Sequence, residues 1–427
     1  MRTRVRAAAL ALLPALVALL VSLVVLAVVL ALIGVDPVTA LSAIFDFGRT
    51  PRAQSNQTRA WISQTVPLFL AGLAVSVAFR MNLFNIGVEG QYRMAALVAA
   101  AAGAAVTLPA PLHVTFILAV AMLTGAAYAA VPAVLKVTRG INEVITTIML
   151  NSIAVALAAY LLREYFRDPD LPANTNPSTS KIPESGRVPG LDGLLELFGM
   201  QSPSRPVNGF LLIALAVGIV VAVVLRSSRF GFALRVSGLN LNAARAGGIP
   251  ANRMIIQAML LSGALAGLIG MPQVLGEHYS YRTEFTAGFG FSGIAVALLG
   301  RNNPAGIAAA ALLFGFLDRA APSLQRAEIP PSVVTIAQGV IVLAVVVVDQ
   351  IGRTRLRKAE ESRAAGPSAP AALAEVSGAA STGPPGRTGN AETAGTAGNT
   401  GTTGNIGTAG NTGTAGNTGT AEKEATA

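Results

Sequence analysis

The stretch LHVTFILAVAMLTGAAYAAVPAVL, residues 112–135, runs for 24 positions without an Asp, Glu, Lys or Arg. A helix needs about 20 mostly apolar residues to cross the hydrocarbon layer, and this stretch supplies them. Working outward from it, nine further apolar segments appear: 10–33, 61–79, 94–108, 144–162, 209–225, 254–275, 287–300, 304–317 and 333–348. The segments at 61–79, 144–162, 209–225 and 254–275 read as clear spans, like 112–135. Those at 94–108, 287–300 and 304–317 are short or interrupted by glycine and are expected to be broken or re-entrant. Composition agrees, with 52% hydrophobic and 12% charged residues, against about 25% charged in a soluble domain. The expected fold class is all-α: a polytopic membrane helix bundle of about ten transmembrane segments, followed by a disordered C-terminal tail.

The charges then set an expected orientation. With the N-terminus inside and the segments alternating, the inner side up to Arg363 holds 18 basic residues against five acidic ones, and the outer side 11 against 12. That asymmetry follows the positive-inside rule and places both termini in the cytoplasm. It also accounts for the net charge of +10, so no nucleic-acid partner is needed. The first apolar run exceeds a secretory h-region of about 7–15 residues and lacks a small-residue cleavage site, so it reads as an uncleaved span. The expected organisation is a basic N-terminus at 1–9, a membrane domain at 10–350 and a low-complexity tail at 351–427. An outer insertion at 163–208 is either a set of short helices or a loose loop. From residue 395 the tail repeats a GTAGNT-like hexamer with Ile406 as its only large apolar side chain; that composition cannot fill a β-helix core and is read as disordered.

Several chemistries are excluded. The chain has no cysteine and two histidines, His113 and His278, so thiolate chemistry and a histidine-rich metal site are ruled out, and no metal or cofactor is expected in this chain. No lysine follows a glycine, so no P-loop exists. There is no H-E-x-x-H and no G-x-S-x-G. Only Glu89, Glu143 and Asp318 lie near an apolar segment, each read as close to an end, which leaves little for an ion relay. An ion-gradient carrier is therefore the alternative rather than the first reading, and the energy for transport is expected from another subunit.

Four polar constellations interrupt the apolar pattern. The first, RMNLFNIGVEGQ at 80–91, places Asn82, Asn85, Glu89 and Gln91 beside Gly87 and Gly90. Unpaired amides or carboxylates at membrane depth cost several kcal/mol, so the stretch is either part of a polar path or an ordinary loop with a capped helix start. The second, KVTRGINEVITTIMLN at 136–151, offers Asn142 as a helix cap and Glu143 near the positive helix end. Thr147 and Asn151 share a face four residues apart; they either bind a neighbouring helix or line a cavity. The third, SSRFGFALRVSGLNLNAARAGGIPAN at 227–252, carries arginines and no acid. A short helix around residues 243–245, capped by Asn240 or Asn242 and ended by Gly247 and Gly248, suits docking into a partner's groove. The fourth, GFGFSGIAVALLGRNNP at 288–304, weakly echoes the first through Gly290-x-x-Gly293 against Gly87-x-x-Gly90; paired interrupted segments often mark midplane sites.

Together these segments resemble the permease subunits of ATP-binding-cassette importers for simple sugars and nucleosides, a family that extends to ribose and branched-chain amino-acid permeases. The resemblance runs from about 61 to 353. NLFNIGVEGQ, GINEVITTIMLN and SGLNLNAARAGGI carry it in the family's order, and GINEVITTIMLN is most similar to the nucleoside branch. The resemblance implies a permease with no catalytic residues of its own, paired with another related permease as a heterodimer. An ATPase subunit and an extracytoplasmic substrate-binding lipoprotein would complete the importer at the cell membrane. It further implies that Asn242, Ala243, Ala244, Arg245 and Gly248 form the coupling element seated in the ATPase. Asn82, Asn85, Glu89, Asn142, Glu143 and Asn151 would lie near the substrate pathway. A nucleoside is the first substrate expectation; a branched-chain amino acid or another small polar solute is the alternative.

Overall fold

A computed structural model describes residues 20–32, 34–172, 174–285 and 287–364. The basic N-terminus, the first half of the 10–33 segment and the hexamer repeats lie outside the described residues. Among those described, regular structure is helical, with two isolated β-bridges. In chain order the helices are α1 (Leu20–Leu32), α2 (Pro37–Ile44), α3 (Pro51–Phe79), α4 (Val88–Ala105), α5 (Ala110–Arg139), α6 (Glu143–Glu164), α7 (Phe210–Ser227) and α8 (Arg229–Leu239). There follow α9 (Leu241–Ala246), α10 (Ala251–Gly267), α11 (Met271–Gly276), α12 (Phe289–Leu299), α13 (Pro304–Asp318), α14 (Ala321–Arg326) and α15 (Ser332–Ala364). The helices treated below lie within the unit that ends at Glu361.

Among the described residues, six stretches are long and apolar enough to cross a membrane: α3, α5, α6, α7, α10 with α11, and α13 with α14. α1, α12 and 332–348 of α15 are shorter apolar helices. Each of the ten sequence segments thus falls mainly on helix where it is described, with exceptions that include 106–108, 268–270 and 287–288. Of the three segments expected to be broken or re-entrant, 287–300 holds only the 11-residue α12, whereas 94–108 lies on one continuous helix up to Ala105 and 304–317 on the unbroken α13, which ends at Asp318. The segment 254–275, read as one clear span, is instead divided. α10 stops at Gly267, and α11 restarts at Met271 with Pro272 in its first turn. Gly267 and Gly270 flank the break, and a proline is tolerated only at the restart.

The centre of the bundle is α3. Every residue from Thr65 to Ala78 is buried, as expected of a helix apolar on all sides. Packed on it are α7, α10, α12 and α13, with α5 and α6 outside α10 and α4. α6 and α7 bury one stripe each and leave a wide apolar face bare. In α7 Phe210, Ala214, Gly218, Val221 and Leu225 are buried while Leu215, Ile219, Val220 and Val223 are exposed. An uncovered apolar surface of that extent is a lipid- or protein-facing surface. α1, α2, α14 and the start of α15 form a second apolar cluster around Leu30, Ile44, Leu324 and Val333.

The insertion at 163–208 is ordered but mostly irregular. Two 3₁₀ turns, Glu184–Gly186 and Glu196–Phe198, are its helical content. It is pinned by backbone bonds from Thr179 to Tyr281, Ile182 to Tyr279 and Val188 to Leu275, and Ile182 is fully buried. It covers the end of the bundle where α3 begins, here named the Arg59 end; the other is the Arg80 end.

Between helices in lipid, close approach replaces the hydrophobic effect, and small residues permit it. Gly263 and Gly267 of α10 sit against Ala121, Gly125 and Ala129 of α5, so near that a Cβ on Gly263 would meet the Gly125 carbonyl and the Ala129 methyl. Replacing Gly263 with Val should therefore force α5 and α10 apart. The expected cost is about 1–3 kcal/mol of overpacking, read as a lower midpoint in detergent-induced unfolding. Ile153→Ala on the bare face of α6 is the control and should unfold at the parental midpoint.

Candidate translocation and coupling sites

The loop 80–87 does not stay at the Arg80 end. Asn151 of α6 accepts a hydrogen bond from Gly90 N–H at 2.9 Å and donates to the Ile86 carbonyl at 2.9 Å. Asn151 lies eight residues into α6, so at 1.5 Å per residue this contact is roughly 12 Å inside the bundle. Ser262, eleven residues into α10, gives a similar depth. α4 therefore starts inside the membrane domain, and Glu89 lies deep rather than near an end as its sequence position implied.

At that depth the polar groups are matched to one another. Asn85 and Gln91 exchange two amide hydrogen bonds, at 3.0 and 2.9 Å, and Asn85 also donates to Ser262 Oγ at 2.9 Å. Ser262 passes the chain on to the Ala74 carbonyl of α3 at 2.7 Å. Three helices, α3, α4 and α10, are joined by this one set of side chains.

Glu89 does the same for α12. Its Oε1 accepts from Tyr92 OH at 3.0 Å, Arg93 Nε at 3.0 Å and Gly288 N–H at 2.9 Å, and its Oε2 accepts from Gly290 N–H at 3.0 Å. α12 begins at this point, and its first N–H groups have no partners within the helix. A carboxylate there satisfies them and opposes the positive end of the helix dipole. Gly288 holds φ +96°, and a Cβ on Gly290 would run into the Glu89 backbone, so both glycines are required by the contact. The echo between the two glycine-bearing constellations is thus a physical junction: the starts of α4 and α12 abut.

The remaining sequence candidates sit elsewhere. Glu143 is buried, paired with Lys136 at the α5–α6 corner, and accepts from Phe84 N–H at 3.4 Å. Thr147 bonds the Glu143 carbonyl of its own helix at 2.7 Å. Asn142 is the exposed cap of α6, accepting from Val144 N–H at 2.8 Å. Asn82, at φ +54°, is exposed and donates to the Gly238 carbonyl at the end of α8 at 2.7 Å. Asn85, Glu89 and Asn151 thus converge, whereas Asn82, Asn142 and Glu143 line the Arg80 end.

The third constellation forms two helices. Asn240, not Asn242, is the cap of α9, accepting from Asn242 N–H at 2.9 Å and Ala243 N–H at 3.0 Å. Ala244 is fully buried and seats α9 on the bundle, while Leu241, Asn242, Ala243 and Arg245 are exposed. Gly248, at φ +80°, closes the turn that follows. Leu239, 87% exposed, adds an uncovered apolar side chain beside it. Sequence reasoning missed Tyr92, Arg93 and Ser262, which sit inside or beside apolar runs; the signal available for Tyr92 and Arg93 was their spacing of three and four from Glu89.

Residues 57–346 match the family described as branched-chain amino acid transport system, permease component. This chain belongs to that family. It is 37% identical over 289 residues to the guanosine ABC transporter permease protein NupP of Bacillus subtilis, covering 66% of this chain and 79% of that one. It is 32% identical over 286 residues to the nucleoside ABC transporter permease protein NupB of Lactococcus lactis subsp. cremoris, covering 66% and 76%. It is 33% identical over 332 residues to the glucose ABC transporter permease protein TsgB13 of Haloferax volcanii, covering 78% and 86%. The chain is accordingly a multi-pass membrane permease with a transport role.

Removing the charge of Glu89 tests the junction. Glu89→Gln leaves the half-buried Arg93 without its counter-charge and turns an amide NH₂ toward one of the glycine donors; breaking a fully buried pair costs about 3–5 kcal/mol, and this partly exposed one is expected to cost less. A drop in melting temperature is expected, with partial recovery on adding Arg93→Met. Equal melting of Glu89→Gln and the parent chain in the same detergent would contradict the assigned contacts.

Proposed function

We propose that the chain is the translocating subunit of an ATP-binding-cassette importer that moves a nucleoside inward, with hydrolysis carried out by a separate ATPase. The observation that carries this reading is α9: a capped, short helix, seated by Ala244, with Asn242, Ala243 and Arg245 turned to solvent beside the exposed Leu239. A membrane protein has little reason to build such a projection except to receive a soluble partner. The family match supports a permease, and the names of NupP and NupB support a nucleoside; the name of TsgB13 supports a sugar as the other reading. Amides and hydroxyls in the core, with few charges, suit either.

In this reading both termini and α8–α9 face the cytoplasm, in keeping with the basic residues at the Arg80 end. The insertion 163–208 at the Arg59 end receives a substrate-binding lipoprotein, and the bare apolar faces of α6 and α7 meet lipid and another related permease. No cofactor is needed in this chain. Closure of the ATPase pair pushes on α9. Because Asn82 ties α8 to the loop 80–87, the push reaches the cluster of Asn85, Glu89 and Asn151 where α4, α6, α10 and α12 meet. Alternating access is a shift of population between two packings of these helices.

Cells bearing Arg245→Glu should take up labelled guanosine at least tenfold more slowly than parent cells, with chain abundance in the membrane unchanged by blotting. Uptake at the parental rate would remove α9 from the coupling role. Competition by unlabelled glucose or leucine, rather than by nucleosides, would overturn the substrate assignment and leave coupling intact.

A further inference from the structure

A cavity of about 770 Å³ opens at the Arg80 end, between the last turns of α3 and α7, helix α8 and the turn at 301–305. It is distinct from the cluster of Asn85, Glu89 and Asn151, none of which lines it. Among the described residues its walls carry Arg80, Arg226, Arg235 and Arg301 and no carboxylate. Ala222 and Leu225 of α7 and Leu239 at the end of α8 supply an apolar flank.

Four guanidiniums around one space repel one another unless something negative lies between them. Burial, and then the charge of Arg235, pull Arg80 below the ordinary arginine value. Two of these side chains are held in place by carbonyls: Arg80 Nη2 donates to Asn302 O at 2.7 Å, and Arg235 donates to Leu225 O. The Nε of Arg80 and the Oδ1 of Asn302 are buried without a hydrogen-bond partner. Arg301 and Asn302 hold φ of 52° and 55°; asparagine adopts this conformation readily, but an arginine there is uncommon, and such residues cluster at ligand clamps among other sites. A fork of guanidiniums pairs bidentately with phosphate as it does with carboxylate, and a phosphate offers more oxygens to several guanidiniums at once; the volume falls within the range of small-ligand sites, about 300–1,000 Å³.

We propose that this cavity binds a phosphate-bearing anion, its phosphate held among Arg226, Arg235 and Arg301, with Arg80 behind them and the apolar flank against the rest of the ligand. The phosphate belongs either to the head group of an anionic phospholipid, for which basic pockets between helices at the cytoplasmic side are suited, or to a soluble phosphate ester. The site itself does not depend on the transport reading; only the choice of leaflet rests on the orientation proposed above.

The purified full chain tests this in two arms. In one, nanodiscs of phosphatidylglycerol in phosphatidylcholine are compared with phosphatidylcholine alone, and retained lipid is read by native mass spectrometry. In the other, inorganic phosphate and adenosine monophosphate are titrated by calorimetry. Saturable binding is expected in at least one arm. Arg226→Gln with Arg301→Gln, both at exposed positions, should weaken it at least tenfold. Arg229→Gln, which removes an arginine of α8 outside the cavity, should change it less than twofold. Arg235→Lys keeps the charge but loses the fork and should weaken phosphate binding by several-fold. Binding in the lipid arm alone assigns the head group, and binding in the soluble arm alone assigns a free ester. No saturable binding in either arm, or equal losses in Arg229→Gln and the cavity variants with melting temperatures unchanged, overturns the proposal. Uptake is not measured, so failure here leaves the importer reading standing.

Discussion

A helix that starts inside a hydrocarbon layer exposes N–H groups that nothing in lipid can satisfy. α12 is such a helix, 11 residues and about 17 Å long by the helical rise, and its start is met by one carboxylate. The four hydrogen bonds accepted by Glu89 bring together Tyr92 and Arg93 of its own helix and the backbone of Gly288 and Gly290. Without that junction the start of α12 has no compensating partner, while the early start of α4 is met by Asn151 through Gly90 N–H. The amide pair of Asn85 and Gln91, the clamp by Asn151 and the relay through Ser262 extend the same solution to α3, α6 and α10. The core of this bundle therefore combines a polar cluster with small-residue contacts and a large buried apolar core around α3.

How much of this the sequence disclosed depends on the separation of the partners. Local chemistry was legible: Asn142 caps α6, and a short capped helix stands between Asn240 and Gly247. The spans were legible because apolar runs of that length have few other uses. The break at 268–270 was not, since Gly267, Gly270 and Pro272 sit in an otherwise continuous apolar run, and glycine in a membrane helix is as often a packing contact as a stop. In α10 Gly263 and Gly267 are packing contacts and Gly270 flanks a stop; only the neighbouring α5 and Phe285 distinguish them.

The depth of Glu89 was hidden for a related reason. Its position after a loop suggested an end, yet its partners Gly288 and Gly290 lie 199 and 201 residues away. Nothing local announces that the loop 80–87 enters the bundle. The resemblance placed Asn85, Glu89 and Asn151 in one functional region and they do meet, but as a filled network with every described amide and carboxylate oxygen engaged. Asn142 and Glu143, assigned to the same region by the same motif, belong to the α5–α6 corner, one helical turn or more away from it.

A network that is filled in this packing has a consequence for how the bundle can change. Buried polar clusters have few alternative arrangements of similar energy, because each group that leaves its partner must find another at once. Small-residue contacts such as Gly125 against Gly263 have no such demand and can slide. Movement is therefore expected along the glycine seams between α5 and α10 and between α3 and its neighbours, with the Glu89 junction carried as a unit. The bond from Asn82 to the end of α8 attaches that unit to the surface at the Arg80 end, so displacement of α8 and α9 has a direct mechanical route to the starts of α4 and α12. In the proposed importer, exposed projection, tethered loop and filled polar core would form the series through which a push at the surface reaches the middle of the membrane.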